Sequence, residues 1–328
     1  MFVTLLKEAL RLTPVFLFGS TGETLTEKSG HLNLGTPGIL CMGVAGGMVG
    51  ISIYDLIFEG FPTSFGGALA LFLIVVFMAM LFGALSGLLF SFFCVSLRCN
   101  QNVMGLAYTT FGIGFYGLIF NSFESQGKNI FYFNEFCYTI NTLFMKDMEA
   151  SNAFEKLFLA NGGLWYLSFI IAIVVAIILR RTRVGLNIRA VGENAASADA
   201  AGINVSKYRY LTTIIGSAIS ALGGLYYFVE INIGLLEFGK VDTYGWLAVA
   251  LVIFTLWKTD IGVLGAILFA FLFKLPEIYG LPSSELNMLF LYLPYFITVV
   301  ILLVTSIVDK KAAQAPNNLG ITYFREER

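Results

Sequence analysis

The sequence predicts an all-α fold, a polytopic bundle of transmembrane helices. Three observations carry that prediction. Charged residues make up 12% of the 328 residues, about half the share of roughly a quarter found in soluble globular domains. Mean hydropathy is +0.81. The apolar residues come in continuous runs near the ~20 residues a helix needs to cross a bilayer, whereas a barrel would show short alternating segments.

The runs are 3–21, 37–53, 67–95, 103–120, 165–179, 210–229, 246–257, 261–273 and 289–308. Lys7, Glu8 and Arg11 break up the first, and no small-residue cleavage site follows, so it does not read as a signal peptide. A polar segment, Gly22 to Gly38, comes next. Its Asn33, Gly35, Pro37 and Gly38 read as a helix break followed by a new helix with Pro near its first turn. Polar, interrupted chain between spans is tolerated where it is buried in protein or lines a wet cavity. It reads either as an ordinary loop or as part of a pathway wall.

In the second run Gly43, Gly46, Gly47 and Gly50 give overlapping small-xxx-small spacing, repeated by Gly83 and Gly87 in the third. Small residues let helix backbones approach closely in lipid. Asn100, Gln101 and Asn102 lead into the fourth run, followed by Tyr108, Thr109, Thr110 and Phe111. Amides and hydroxyls beside rings suit a flat, hydrogen-bonding solute such as a nucleobase; they equally suit a helix cap and a packed core. Segments 37–53, 246–257 and 261–273 are short enough to be broken or half-crossing, so the expectation is about 8–10 membrane helices.

Between the fifth and sixth runs lies a basic island, 180–209. It holds Arg180, Arg181, Arg183, Arg189, Lys207 and Arg209 against Glu193 and Asp199. The tail after Val308 carries Lys310, Lys311, Arg325 and Arg328. Both basic stretches belong on the cytoplasmic side, and the four intervening runs agree. Segments 54–66 and 121–164 then fall outside. The nine runs place the amino terminus outside too, despite Lys7 and Arg11, unless the first or second helix is re-entrant. The domain reading is a membrane domain over 1–308, with outer segment 121–164, coupling loop 180–209 and a cytoplasmic tail over 309–328.

Several chemistries find no residues to run on. There is no GxxxxGK[ST] phosphate loop, no HExxH, and one histidine. Asp and Glu are nearly absent from the apolar runs, which weighs against a proton relay. Cys41, Cys94, Cys99 and Cys137 form no CxxC pair and read as small apolar fillers. No binding site for nucleic acid is indicated, and a membrane enzyme or a secondary transporter finds little support.

The island's nearly uncharged middle reads as a short helix. Asn194 is a good N-cap, the alanines favour helix, and Gly202 stands at the C′ position. About seven residues do not hold a helix alone in water, so it needs a surface: its own membrane domain or a partner.

The run Arg181-Thr182-Arg183-Val184-Gly185-Leu186-Asn187-Ile188-Arg189-Ala190-Val191-Gly192-Glu193-Asn194, continuing to Ala200-Ala201-Gly202-Ile203, resembles the coupling loop of ATP-binding-cassette (ABC) importer permeases serving branched-chain amino acids, ribose-type sugars and nucleosides. Gly22-Glu23, Glu27-Lys28-Ser29-Gly30-His31-Leu32-Asn33-Leu34-Gly35 and Pro37-Gly38 resemble the purine-nucleoside branch, which is linked to basic membrane lipoproteins.

The resemblance implies a multi-pass subunit of the bacterial cytoplasmic membrane that makes no covalent bond itself. ATP and Mg²⁺ would sit on separate ATPase subunits. A second permease subunit, in a heterodimer, and an extracytoplasmic substrate-binding lipoprotein would complete the importer. Glu193, Asn194, Asp199, Ala201 and Gly202 would belong to the coupling helix. Arg181, Arg183, Gly185, Arg189 and Gly192 would frame it. Asn33, Gly35, Asn102, Thr109 and Phe111 would be pathway residues. Riboflavin and ribose-type sugars are the alternative cargoes. The outer segment's Phe131-Tyr132-Phe133-Asn134 maps onto no family pattern; it would meet the binding protein or cap the outer mouth.

Overall fold

The computed structural model describes residues 2–62, 64–128, 130–143, 157–158, 161–234, 239–279, 292–308 and 315–324. Regular structure among them is helical. The helices are α1 (Phe2–Glu27), α2 (Thr36–Phe58), α3 (Phe65–Ser91), α4 (Gln101–Ser125), α5 (Ile130–Leu143), α6 (Gly163–Arg181), α7 (Arg183–Glu193), α8 (Ala195–Ala200), α9 (Val205–Tyr226), α10 (Val241–Phe254), α11 (Thr259–Tyr279) and α12 (Leu293–Val308). A π turn extends α3 to Ser96 and another extends α9 to Ile231.

Five of these are long and apolar enough to cross a membrane: Thr36–Phe58, Phe65–Ser96, Gln101–Ser125, Gly163–Arg181 and Val205–Ile231. The fold is thus the expected multi-pass helical bundle. In α9 83% of the most apolar stretch is buried, against 28% in α3 and 33% in α6; α9 is the central post and the others present apolar faces outward. α1 packs antiparallel along α9, with α10 and α11 on its other sides, while α2 wedges between α3, α9 and α4.

Glycine makes the wedge possible. A Cβ at Gly43 would stand 1.8 Å from the carbonyl oxygen of Ala221, and one at Gly83 2.5 Å from that of Ser217. The small-residue spacing therefore serves backbone-to-backbone packing of α2 and α3 on α9.

α1 tolerates Pro14 inside it for an identifiable reason. Proline cannot donate to the carbonyl four residues back, and that carbonyl, of Leu10, instead accepts the Trp165 indole N–H at 3.0 Å. Nearby, the Arg11 guanidinium donates to the carbonyls of Glu230 and Ile231 at 2.9 and 3.3 Å. A cation on the last carbonyls of a helix is favourable. These contacts pin the start of α1 to the end of α9 remote from the basic island. The amino terminus therefore lies on the side opposite the island, as an odd number of runs requires, and Lys7 and Arg11 are exceptions to the charge pattern. Asp55 lies on that same side, in an ion pair with Lys128 at 3.5 Å and accepting the Tyr132 hydroxyl at 2.7 Å.

Three expectations need correction. Residues 22–27 are not loop but the last turns of α1, closed by the Thr26 hydroxyl donating to the Gly22 carbonyl at 3.1 Å. Two carboxylates of α1 consequently do lie inside the bundle, Glu23 and Glu27, 1% and 2% exposed, and so does Glu230 at the end of α9, 3% exposed. Glu23 accepts the Thr36 hydroxyl and Glu27 accepts the Trp257 indole N–H. Lastly, α2 extends well past run 37–53, to 23 residues; the apolar helices Val241–Phe254 and Ile261–Leu275 stay short, as expected.

Within 121–164, whose residues 129, 144–156 and 159–160 lie outside the described ones, residues 130–143 form α5, which lies across the ends of α3 and α9 remote from the island. Phe133 and Phe136 are buried under it, and the Asn141 amide donates to the Val229 carbonyl at 2.8 Å. The four cysteines are free thiols; all but Cys99 are fully buried.

Candidate functional site

Two structures face the questions raised by the sequence: the island and the polar break between α1 and α2.

The island folds as two helices. α7 was not anticipated, though Thr182 before Val184, Ile188 and Val191 is a legible cap followed by helical spacing. The Thr182 hydroxyl accepts the Gly185 N–H at 3.1 Å, and Gly185, Ile188, Val191 and Gly192 face inward. α8 forms as expected. Asn194 Oδ1 accepts the Ser197 N–H at 2.9 Å. At the other end Gly202 has φ +84°. The N–H groups of Gly202 and Ile203 bond the carbonyls of Asp199 and Ala198 at 2.9 and 3.0 Å, a Schellman closure. Ala195 and Ala198 seat α8 against Val191 and Val205.

Arg181, Arg183, Arg189, Glu193, Asn194, Ala201 and Gly202 are exposed, Asp199 is half-buried, and Gly185 and Gly192 are buried. The surface thus offers a six-residue helix with small exposed side chains, Ala196, Ser197 and Ala200. Beside it opens a cavity of about 720 Å³ lined by Arg98, Asp199, Gly202, Asn204, Ser206 and Tyr323, among others.

Gly192 ties this unit to the break. A Cβ there would fall 2.2 Å from the Lys28 carbonyl oxygen, so only glycine allows the end of α7 to touch the 28–30 backbone. Burial pulls the Lys28 ammonium below its ordinary pKa, and the nearby Glu193 carboxylate partly opposes that pull.

From Lys28 the chain turns back into the bundle. His31 Nδ1 shares a hydrogen bond with the Thr213 hydroxyl at 2.8 Å, and its ring stands edge-on to Phe90. Non-helical backbone among membrane helices must find partners inside the protein, and here it does. Gln101 Oε1 accepts the Leu32 N–H at 2.8 Å, and Asn33 Oδ1 accepts the Gly35 N–H at 3.0 Å. The Thr109 hydroxyl donates to the Leu34 carbonyl at 2.9 Å. α2 then starts at Thr36, level with Glu23 and well inside the bundle. Gly38 packs on Tyr108 and Thr109 so closely that a Cβ would lie 2.7 Å from the Tyr108 carbonyl oxygen.

Asn33, Gly35 and Thr109 are therefore brought together, at the point where α2 begins. Phe111 is two residues further along α4, in a second feature: a crevice of about 530 Å³ between α3 and α4. Tyr108, Phe111, Phe115, Met42 and Ser86 line it. Tyr108 and Phe111 lie 5.7 Å apart by ring centroids, as do Phe111 and Phe115. Asn102 belongs to neither feature. It is exposed at the start of α4, where its N–H is capped by Asn100 at 3.0 Å. The sequence reading named Gln101 only among the amides before the fourth run, and it missed Phe115 and Ser86. Spacing of 108, 111 and 115 on one helix face was the available signal.

The comparisons with known proteins agree with this architecture. The family described as branched-chain amino acid transport system / permease component matches residues 5–302, and the chain belongs to that family. It is 30% identical to the guanosine ABC transporter permease protein NupQ of Bacillus subtilis, over 94% of this chain and 92% of the relative. It is 29% identical to the nucleoside ABC transporter permease protein NupC of Lactococcus lactis, over 96% and 94%. Identity to the putative glucose ABC transporter permease protein TsgC13 of Haloferax volcanii is 29%, over 82% and 75%. No solved structure matches the chain.

Proposed function

We propose, from that family membership, that this chain is the membrane subunit of an ABC importer for nucleosides, in a bacterial cytoplasmic membrane. Separate ATPase subunits would carry ATP and Mg²⁺ and dock on α8 from the cytoplasm. A second permease subunit would complete the pathway, and a lipoprotein would deliver substrate outside. Closure of the ATPases would press on α8 and α7. Gly192 would pass that displacement to the 28–35 loop, and the start of α2 would shift between inward- and outward-open arrangements. No covalent step falls to this chain.

The observation that carries the nucleoside reading is the crevice lined by Tyr108, Phe111 and Phe115, beside Thr109, whose hydroxyl holds the Leu34 carbonyl. Its volume lies within the ~300–1,000 Å³ of small-molecule pockets. Rings suit a nucleobase, since stacking contributes about 1–3 kcal/mol per base. The names of NupQ and NupC point the same way. A sugar is the second reading, favoured by the name of TsgC13, but an apolar crevice matches a hexose poorly.

Uptake in cells carrying the full importer tests this. Labelled guanosine should accumulate and be displaced by inosine but not by glucose, ribose or riboflavin. Phe111→Ala should weaken nucleoside uptake about 5- to 150-fold if stacking operates. Accumulation of riboflavin or glucose that ignores nucleosides would overturn the assignment.

A further inference from the structure

We infer that the carboxy-terminal segment 316–324 is a working part of the coupling unit, with Tyr323 and Asn318 as positioning residues. It straps α8 to the 28–35 loop so that the two move together. The inference rests on the permease reading above.

The segment touches α8, the end of α7 and the 28–35 loop, three of the parts that reading requires to move. The Tyr323 hydroxyl donates to the Asp199 carboxylate at 2.8 Å, and its ring packs on the Val191, Ala195, Ala198 and Val205 cluster that seats α8. The Asn318 N–H donates to the Gly192 carbonyl at 2.9 Å. The Gly320 N–H donates to the Gly30 carbonyl at 3.2 Å. The buried Arg209 guanidinium, at the foot of α9, donates to the Ile321 carbonyl at 3.0 Å. Finally, the Arg98 guanidinium lies 3.4 Å over the Phe324 ring, a cation–π contact that anchors the strap to the turn between α3 and α4.

The need for a strap follows from how α8 is hung. It joins α7 through Asn194, a single extended residue with φ −153° and ψ 96°. It joins α9 through the four residues 201–204, among them the left-handed Gly202. α8 packs on α7 and α9. A six-residue helix hung on two short links would absorb a push by rotating. Tyr323 holds α8 near its far end while Asn318 and Gly320 hold Gly192 and Gly30. Together they triangulate the unit, so a displacement of α8 reaches the loop instead of being lost in rotation. The cavity of about 720 Å³ between α8 and the α3 end is walled by Tyr323 and Phe324, so the strap also shapes the surface a docking partner meets.

The test uses the complete importer in vesicles and reads two quantities together: ATP hydrolysed and nucleoside imported. Truncation after Ala315 and Tyr323→Ala should leave ATP hydrolysis running while import per ATP falls at least tenfold. Tyr323→Phe keeps the ring and loses only the bond to Asp199. Its ratio should fall by less, about three- to tenfold, the equilibrium shift worth one hydrogen bond. Unchanged import per ATP in the truncated protein would overturn the inference. So would a proportional fall of both quantities, the mark of a strap that merely supports folding. If the truncated chain does not assemble, Tyr323→Phe decides alone. A wild-type complex that hydrolyses ATP but imports some other solute would refute the nucleoside reading and leave the coupling ratio measurable with that solute.

Discussion

Gly192→Ala isolates the contact between the coupling unit and the broken segment. The new Cβ would lie 2.2 Å from the Lys28 carbonyl oxygen and 3.2 Å from the Gly30 nitrogen. Both are backbone atoms, so no rotamer change relieves the clash. Restoring an ordinary contact requires the two chains to part by about 1 Å. Overpacking of this kind costs about 1–3 kcal/mol. Loss of the Asn318 to Gly192 bond, at 2.9 Å, adds about 1 kcal/mol. The sum, about 2–4 kcal/mol, shifts the closed junction towards opening by about 1.5 to 3 decades. Hydrogen exchange on the purified importer reads this directly: amides of 28–32 and 318–320 should exchange faster, while those in the middle of α9 stay protected. ATP hydrolysis should persist and import per ATP should fall. Unaltered exchange at 28–32, together with unaltered import, would refute the claim that this contact transmits anything.

Three further outcomes are expected. Trp257→Phe deprives the buried Glu27 carboxylate of its indole donor and should cost about 1.5–3 kcal/mol, seen as a lower unfolding temperature in detergent. Asn194→Ala removes the cap of α8, costs about 1 kcal/mol, and should raise exchange at 195–200 without changing that of α7's inward face. Gly43→Ala, whose Cβ would meet the Ala221 carbonyl oxygen at 1.8 Å, should sharply lower the amount of folded protein in membranes. Gly114→Ala, with nothing within 4 Å, should leave that amount unchanged.

Much of the architecture was legible because membranes make it so. A bilayer forbids unpaired backbone, so long apolar runs read directly as helices. α8 was legible for a local reason: Asn194 and Gly202 are chemically committed to the two ends of a helix. The arrangement of charges placed 180–209 and the tail on one side, and the strap's bonds to Gly192, Gly30 and Asp199 put them together. The Gly22 to Gly38 segment was legible only as polar chain with a break in it. Nothing local distinguishes Thr24 and Thr26 in a loop from the same residues closing a helix against Gly216. That outcome depends on α9 offering a glycine where α1 passes.

What the sequence by itself determined is therefore what depends on the chain's own few neighbours and on the solvent: an all-helical, multi-pass fold, the capped helix at Ala195–Ala200, the helix start at Pro37, and the family. Only the tertiary structure decided which distant residues meet. It put Glu23 and Glu27 under Thr36 and Trp257, brought Leu34 to Thr109, opened the crevice at Phe111, left Asn102 outside it, and laid Tyr323 on Asp199. The physical reason is that caps and apolar runs act over a few residues, whereas these contacts exist only once glycines on three helices have let their backbones close to touching distance.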